Sequence, residues 1–168
     1  TYPKYVNKFA VYDYKPSESQ GMMSGSYNYN AVMDIQWPFG HGMSYTAFEY
    51  SDMTVSKTEF GSDDVLEVKV NVTNVGARAG KESVLLYSSD LYASSTPDVR
   101  RLRAFEKVSL EPGETATVEF EISAKDLAFA NYYGKWTVEE GDFVLAVGNL
   151  SQKVRCVETK IWNEPNID

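Results

Sequence analysis

The chain has one cysteine, Cys156, and one histidine, His41, among 168 residues. A single thiol excludes an intrachain disulfide, and one His with one Cys is too few ligands for a zinc site built from nitrogen and sulfur. A Ser–His nucleophile pair would have to use His41, which sits between Gly40 and Gly42, where a packing or hydrogen-bonding role is expected. Cys156 falls in the alternating run Val154-Arg155-Cys156-Val157 and reads as a small buried hydrophobe. No run approaches the ~20 apolar residues of a membrane helix. Positive charge is also scarce: 16 Lys and Arg stand against 24 Asp and Glu, for a net charge of −8. Only Arg100, Arg101, Arg103 and Lys107 cluster, and Asp98 and Glu106 flank them, so a phosphate-binding surface for nucleic acid is not expected. The acidity also weakens attraction to anionic membranes. The chain opens Thr1-Tyr2-Pro3, the start expected of a piece of a longer polypeptide, so no targeting signal can be sought in it.

What is present has two textures. Residues 1–45 are dense in aromatics (Tyr2, Tyr5, Phe9, Tyr12, Tyr14, Tyr27, Tyr29, Trp37, Phe39, Tyr45) with no sustained period of 2 or 3.6, interrupted by Pro and Gly. Disordered linkers are aromatic-poor, so this reads as an ordered, irregular strap laid over another surface. From Ala47 onward the texture turns regular. Leu66, Val68, Val70 and Val72 alternate with Glu67, Lys69 and Asn71. Ala116, Val118, Phe120 and Ile122 alternate with Thr117, Glu119 and Glu121. A period of two means strands with one buried and one wet face.

Further strands are expected at Phe48–Ser56, Ser83–Ser88, Ala104–Leu110, Lys135–Val138, Phe143–Gly148 and Val154–Ile161. Glu111-Pro112-Gly113-Glu114 suits a type II turn, with Pro presetting φ and Gly accepting a positive φ. Asn74-Val75-Gly76 and Glu139-Glu140-Gly141-Asp142 supply further reversals. Ser123 through Phe129 begins with a capping residue and reads as one helical turn joining two sheets. Seven or eight short strands at this spacing predict an all-β sandwich over residues 46–168, immunoglobulin/fibronectin-III-like, preceded by the strap of residues 1–45.

The acidic residues argue against bond breaking. Acid–base chemistry by a carboxylate pair needs two carboxyls held close together, at least one of them withdrawn from water. Here Glu67, Glu119 and Glu121 take outward strand positions, and Asp63, Asp64, Glu111, Glu114, Glu139, Glu140 and Asp142 fall in turns, where solvation leaves a carboxyl a poor general acid. Asp63-Asp64 lacks a calcium-loop signature. Asn71-Val72-Thr73 and Asn149-Leu150-Ser151 fit the glycosylation pattern and receive no role. Trp136, Trp162 and the exposed members of the tyrosine set could offer a sugar-stacking platform, but Trp136 follows Lys135 in a strand and is expected in the core, and the Tyr-rich strap is expected to pack against the sandwich or neighbouring domains. No cofactor is implied.

Five blocks carry a resemblance. Trp37-Pro38-Phe39-Gly40-His41-Gly42-Met43-Ser44-Tyr45-Thr46 resembles the hinge motif before the C-terminal domain of family 3 glycoside hydrolases, the β-glucosidases and β-xylosidases. Val72-Thr73-Asn74-Val75-Gly76 with Gly80-Lys81-Glu82 resembles the next block. Leu102-Arg103-Ala104-Phe105-Glu106-Lys107-Val108, then Leu110 to Glu114, then Gly134-Lys135-Trp136 with Glu140-Gly141-Asp142-Phe143 follow in the family's order. Ala104 and Met43 stand where the family often has Gly and Leu.

The resemblance implies a non-catalytic, accessory fibronectin-III-like domain. Its partners would be the catalytic barrel and α/β domains of a parent chain that is periplasmic or secreted. It implies no catalytic residue here, and a structural role for the hinge residues Trp37, Pro38, Phe39, Gly40, His41, Gly42, Ser44 and Tyr45. Ser51-Asp52-Met53 is superficially similar to the family's Ser-Asp-Trp nucleophile motif, but it lies after the hinge, on an expected strand, without the Trp. The alternative is a carbohydrate-binding module that holds polysaccharide.

Overall fold

The computed structural model describes residues 2–3, 35–37, 40–95, 97–98 and 100–163. Most of the aromatic strap, with Pro38 and Phe39 of the hinge motif, lies outside the described residues. Two short strands precede the body: β1 (Tyr2–Pro3) and β2 (Ile35–Trp37), paired antiparallel. Then follow β3 (Phe48–Val55), β4 (Glu59–Phe60), β5 (Val65–Asn74), β6 (Gly80–Asp90), β7 (Arg101–Leu110) and β8 (Thr115–Ser123). After a 3₁₀ turn at Ala124–Leu127 come β9 (Phe129–Ala130), β10 (Trp136–Val138), β11 (Gly141–Val147), β12 (Leu150–Cys156) and β13 (Lys160–Ile161).

These strands build a β-sandwich. One layer has the order β3-β5-β8 and the other β4-β12-β11-β6-β7. Only β4 and β12 in these layers run parallel; the other neighbours are antiparallel. The period-two pattern dictates what lies between them. Leu66, Val68, Val70 and Val72 of β5 are buried with their β8 neighbours Val118, Phe120 and Ile122. They share one cluster with Val84 and Leu86 of β6, Phe143, Leu145 and Val147 of β11, and Val154 and Cys156 of β12. Phe60 and Phe143 meet edge to face, ring centroids 6.0 Å apart. Each such large side chain contributes about 1.5–3 kcal/mol on burial. The opposite face of β5 and β8 is wet, and there Lys69 pairs with Glu119 at 3.0 Å.

The turn at Glu111–Glu114 forms as its residues require. Gly113 has φ +79°, and the Glu114 N–H donates to the Glu111 carbonyl at 3.0 Å. The helical turn is also present. Its cap Ser123 accepts from the Asp126 N–H at 3.3 Å, while Asp126 Oδ2 accepts from the Ser123 N–H at 2.8 Å, a reciprocal capping box.

Three expectations need correction. The 3₁₀ turn leads from β8 to β9, so it feeds a small third sheet of order β13-β10-β9 and does not join the two large layers. The run Val154–Ile161 is two strands. After Cys156 the Val157 N–H binds the Phe60 carbonyl, alternation ends, and Lys160–Ile161 crosses to pair with β10. Finally, β6 and β7 are longer than expected: Gly80 to Glu82 pair with β7, Ser89 and Asp90 pair with β11, and Arg101 and Leu102 pair with β6 past a register shift, mostly through polar residues that hydrophobic alternation does not mark.

Two irregularities position side chains. In β3 the register shifts between Ser51 and Thr54, and Asp52 has φ +53° there. Its Oδ2 accepts from Asn71 Nδ2 at 3.1 Å and Ser51 Oγ at 3.0 Å. The Ser-Asp pair singled out in the sequence thus forms a bulge. Between β6 and β7, Leu86 faces Ala104 while Tyr87 faces Leu102. This second bulge takes Arg103 out of the alternation and lets it reach Ser88.

Candidate functional site

The motif residues converge at two places, and the first is a clasp around Asn74. Asn74 ends β5 fully buried. Its Oδ1 accepts from Thr46 Oγ1 at 2.8 Å and from the Gly76 N–H at 3.1 Å. Its Nδ2 donates to the carbonyls of Arg78 at 2.7 Å and Leu110 at 3.0 Å. All four hydrogen-bonding sites of the amide are therefore satisfied. A Cβ on Gly76 would sit 2.1 Å from Thr46 Oγ1 and 2.8 Å from the Ala47 nitrogen, and one on Gly80 would sit 2.5 Å from Thr46 Cγ2. Thr46 is held between two glycines that the sequence separates from it by about thirty residues.

The hinge motif enters from this clasp. Trp37 stacks on His41, with ring centroids 6.4 Å apart and planes 19° from parallel. Gly40 has φ +84°, and a Cβ there would lie 1.9 Å from the Tyr87 hydroxyl. The backbone comes down on the outer face of β6 where no other residue fits. The Arg100 guanidinium covers the Tyr87 ring at 4.6 Å, and burial raises the Tyr87 phenol pKa. Ser44 Oγ accepts from the Thr46 N–H at 3.3 Å. Gly42 has open space around it, and Met43 and Tyr45 are exposed.

Several acidic side chains serve turns and ion pairs. Asp64 accepts from the Gly61 N–H at 2.7 Å and pairs with Lys57. Glu158 accepts from the Ser62 N–H at 2.6 Å. Backbone hydrogen bonds from Gly61 and Ser62 hold the two carboxyls below the usual range. Asp142 pairs with Lys153 at 2.7 Å, which lowers its pKa likewise. Groups so tuned stay ionised and accept hydrogen bonds; they do not donate protons.

Asp90 departs from this. It ends β6, half-buried, and burial pushes its pKa up to about 6. It lines an open pocket of about 370 Å³ between the ends of β6 and β7, the 3₁₀ turn and β10. Arg103, turned in by the bulge, donates from Nε to Ser88 Oγ at 2.6 Å and from Nη2 to the Leu127 carbonyl at 3.2 Å. Burial, followed by the neighbouring charge of Arg101, lowers the Arg103 pKa to about 10. Trp136 forms a wall, with the Arg101 guanidinium 5.8 Å from its ring centroid. Asp98 lines the same pocket.

Trp136 is thus half-buried at a pocket and not in the core as expected. Its neighbour Thr137 turns inward instead, and Asn131 Nδ2 donates to the Thr137 hydroxyl at 2.9 Å. Sequence reasoning missed this pocket. Its signals were Trp136, named as a sugar-stacking candidate but expected in the core, and the Arg100–Arg103 cluster beside Asp98, read only for phosphate binding. Cys156 is buried, and desolvation raises its pKa. Among the described residues no group of three or more His, Cys, Asp and Glu could hold a metal.

Two facing sheets with this clasp at one end define a fibronectin type III-like sandwich, and a family model described as a fibronectin type III-like domain matches residues 82–151. The chain is 40% identical to a thermostable β-glucosidase B of Acetivibrio thermocellus, over 90% of this chain and 20% of that protein. It is 40% identical to a periplasmic β-glucosidase of Salmonella typhimurium, over 71% of this chain and 16% of that one. A solved β-glucosidase from Erythrobacter marinus superposes with a TM-score of 0.73 at 34% identity, covering 86% of this chain and 20% of that chain. The chain carries a fibronectin type III-like domain, in line with the five blocks, and spans about one sixth to one fifth of the length of the β-glucosidases it matches.

Proposed function

We propose that this chain is a non-catalytic accessory domain of a periplasmic or secreted β-glycosidase, buttressing that enzyme's barrel and α/β domains through the hinge motif. The observation that supports the reading is the disproportion of the match: nine tenths of this chain aligns with one fifth of a β-glucosidase. A β/α barrel alone takes about 250 residues, so the chemistry belongs to the remainder of the parent. The name of the Salmonella relative supports the periplasm. The hinge residues Trp37 to Tyr45 serve as the link: Gly40 lets the incoming chain lie against Tyr87, and Thr46 anchors its end under Asn74. The chain alone is expected not to turn over aryl β-glucosides. Measured turnover that vanished on Asp90→Asn would overturn the reading.

A second reading is that the domain also holds the parent on polysaccharide. Tyr132 and Tyr133 favour it: they stand 95% and 81% exposed at the β9–β10 turn, and aromatic faces stack on sugar rings. Affinity electrophoresis through glucan and xylan gels tests it, and unretarded migration would dispose of it.

A further inference from the structure

We propose that the pocket walled by Trp136, Arg101, Arg103, Asp90 and Asp98 binds one or two pyranose units of a neutral oligosaccharide. The site rests on the polysaccharide-holding reading for its use and gives that reading a location.

Size, charge and unspent hydrogen bonds carry the proposal. A volume of about 370 Å³ is at the small end of ligand pockets, which run roughly 300–1,000 Å³. It has room for one or two sugar rings. Two carboxylates and two guanidinium groups line it, so their formal charges cancel. An anion would meet Asp90 and Asp98, and a cation would meet Arg101 and Arg103. A neutral polyol suits both signs, because each hydroxyl donates to a carboxylate and accepts from a guanidinium.

The groups also have capacity to spare. Arg103 uses two of its five N–H donors, on Ser88 and Leu127. Those two bonds hold its fork in place before any ligand arrives. The Asp90 carboxylate accepts a single hydrogen bond, from the Tyr92 N–H at 3.2 Å, and Asp98 shows no hydrogen bond or ion pair among the described residues. Trp136 supplies an aromatic wall for the apolar face of a ring, and Arg101 over its indole limits a ligand to the remaining surface. Aromatic stacking beside charged hydrogen-bonding groups is what recognition of a polyhydroxylated ring requires.

The test is titration of the full 168-residue chain with cellotriose, xylotriose and trigalacturonate, followed by calorimetry and by the indole N–H resonance of Trp136. The expected result is saturable binding of a neutral trisaccharide that moves the Trp136 indole signal. Trp136→Ala should weaken it about tenfold or more. Asp98→Asn and Arg101→Ala, which remove no described hydrogen bond of the fold, should weaken it several-fold and keep the proposal testable if Trp136→Ala misfolds. No saturation by about 20 mM ligand, binding indifferent to all three substitutions, or tighter binding of trigalacturonate would overturn the proposal. Polysaccharide gels separate it from the broader reading. Retention unaffected by Asp98→Asn and Arg101→Ala leaves that reading standing at another surface and sinks this pocket. Trisaccharide binding without gel retention does the reverse.

Discussion

Thr46 Oγ1 donates to Asn74 Oδ1 at 2.8 Å, and this bond ties the chain entering β3 to the buried end of β5. Asn74 in turn holds the carbonyls of Arg78 and Leu110, so three separate stretches meet at one amide. Asn74→Ala would leave those carbonyls without their donor. It is expected to cost about 2–4 kcal/mol, read as a lowered urea midpoint at unchanged slope. Asn74→Asp should cost at least as much, since it sets a carboxylate against two carbonyl oxygens. A loss below half a kcal/mol for both would show that the clasp does not hold the fold.

Substituted glycines should rank by what their new Cβ meets. Gly76→Ala drives a carbon to 2.8 Å from the Ala47 backbone nitrogen, which cannot swing aside, and is expected to destabilise by about 2–3 kcal/mol. Gly113→Ala meets open space but keeps φ +79°, and should cost about 1 kcal/mol from backbone strain alone. Thermal denaturation of the two variants checks the order, and equal losses would contradict it.

Asp90 predicts a pH dependence of stability. Its folded pKa, about 6, lies above its ordinary value of 3.8, so between these the folded state binds more protons than the unfolded one. Stability should fall as pH rises from about 4 to 6 through this group, opposite in sign to the usual carboxylate. Asp90 is half-buried and partly screened, so the effect is about 1 kcal/mol. Asp90→Asn should raise the Tm at pH 7 and leave it nearly unchanged at pH 4. A lowered Tm at pH 7 would refute the sign. The paired carboxyls Asp64, Asp142 and Glu158, whose pKa values are lowered, act oppositely: their stabilisation is lost as pH falls below the ordinary carboxylate range.

Cys156 should be inert in the folded chain. It is fully buried, its Sγ contacts the Glu158 carbonyl at 3.1 Å, and burial raises its pKa, so thiolate is scarce and inaccessible. A disulfide reagent should label it only at the rate of global unfolding. Rapid labelling under native conditions would place the thiol at the surface.

The strands and their buried faces were legible because alternation is a local property. Val68, Val70 and Val72 announce one side of a strand whatever packs on it. The Glu111–Glu114 turn and the Ser123 cap were legible for the same reason: each is decided by two or three neighbouring residues. The glycines of the Asn74 block could be quoted from the sequence as a motif, yet nothing local says that Gly76 and Gly80 are small because Thr46 lies between them.

The pocket was illegible for a stronger reason. Period two placed Trp136 on an inward face, but inwardness is defined by which sheet a strand joins. β10 joins a small third sheet, so its alternate faces meet the pocket and the core differently from those of β11. The turned-in position of Arg103 depends on a bulge, a one-residue difference in pairing between β6 and β7 that appears in neither strand alone.

Sequence alone therefore determined the sandwich, its inward set and the family's motif order, because short-range periodicity and turn chemistry act between residues close in the chain. Tertiary structure decided the Asn74 clasp, the Trp136 pocket and the unusual environment of Asp90, because pairing register, desolvation and the approach of distant backbone arise only when remote segments share one volume.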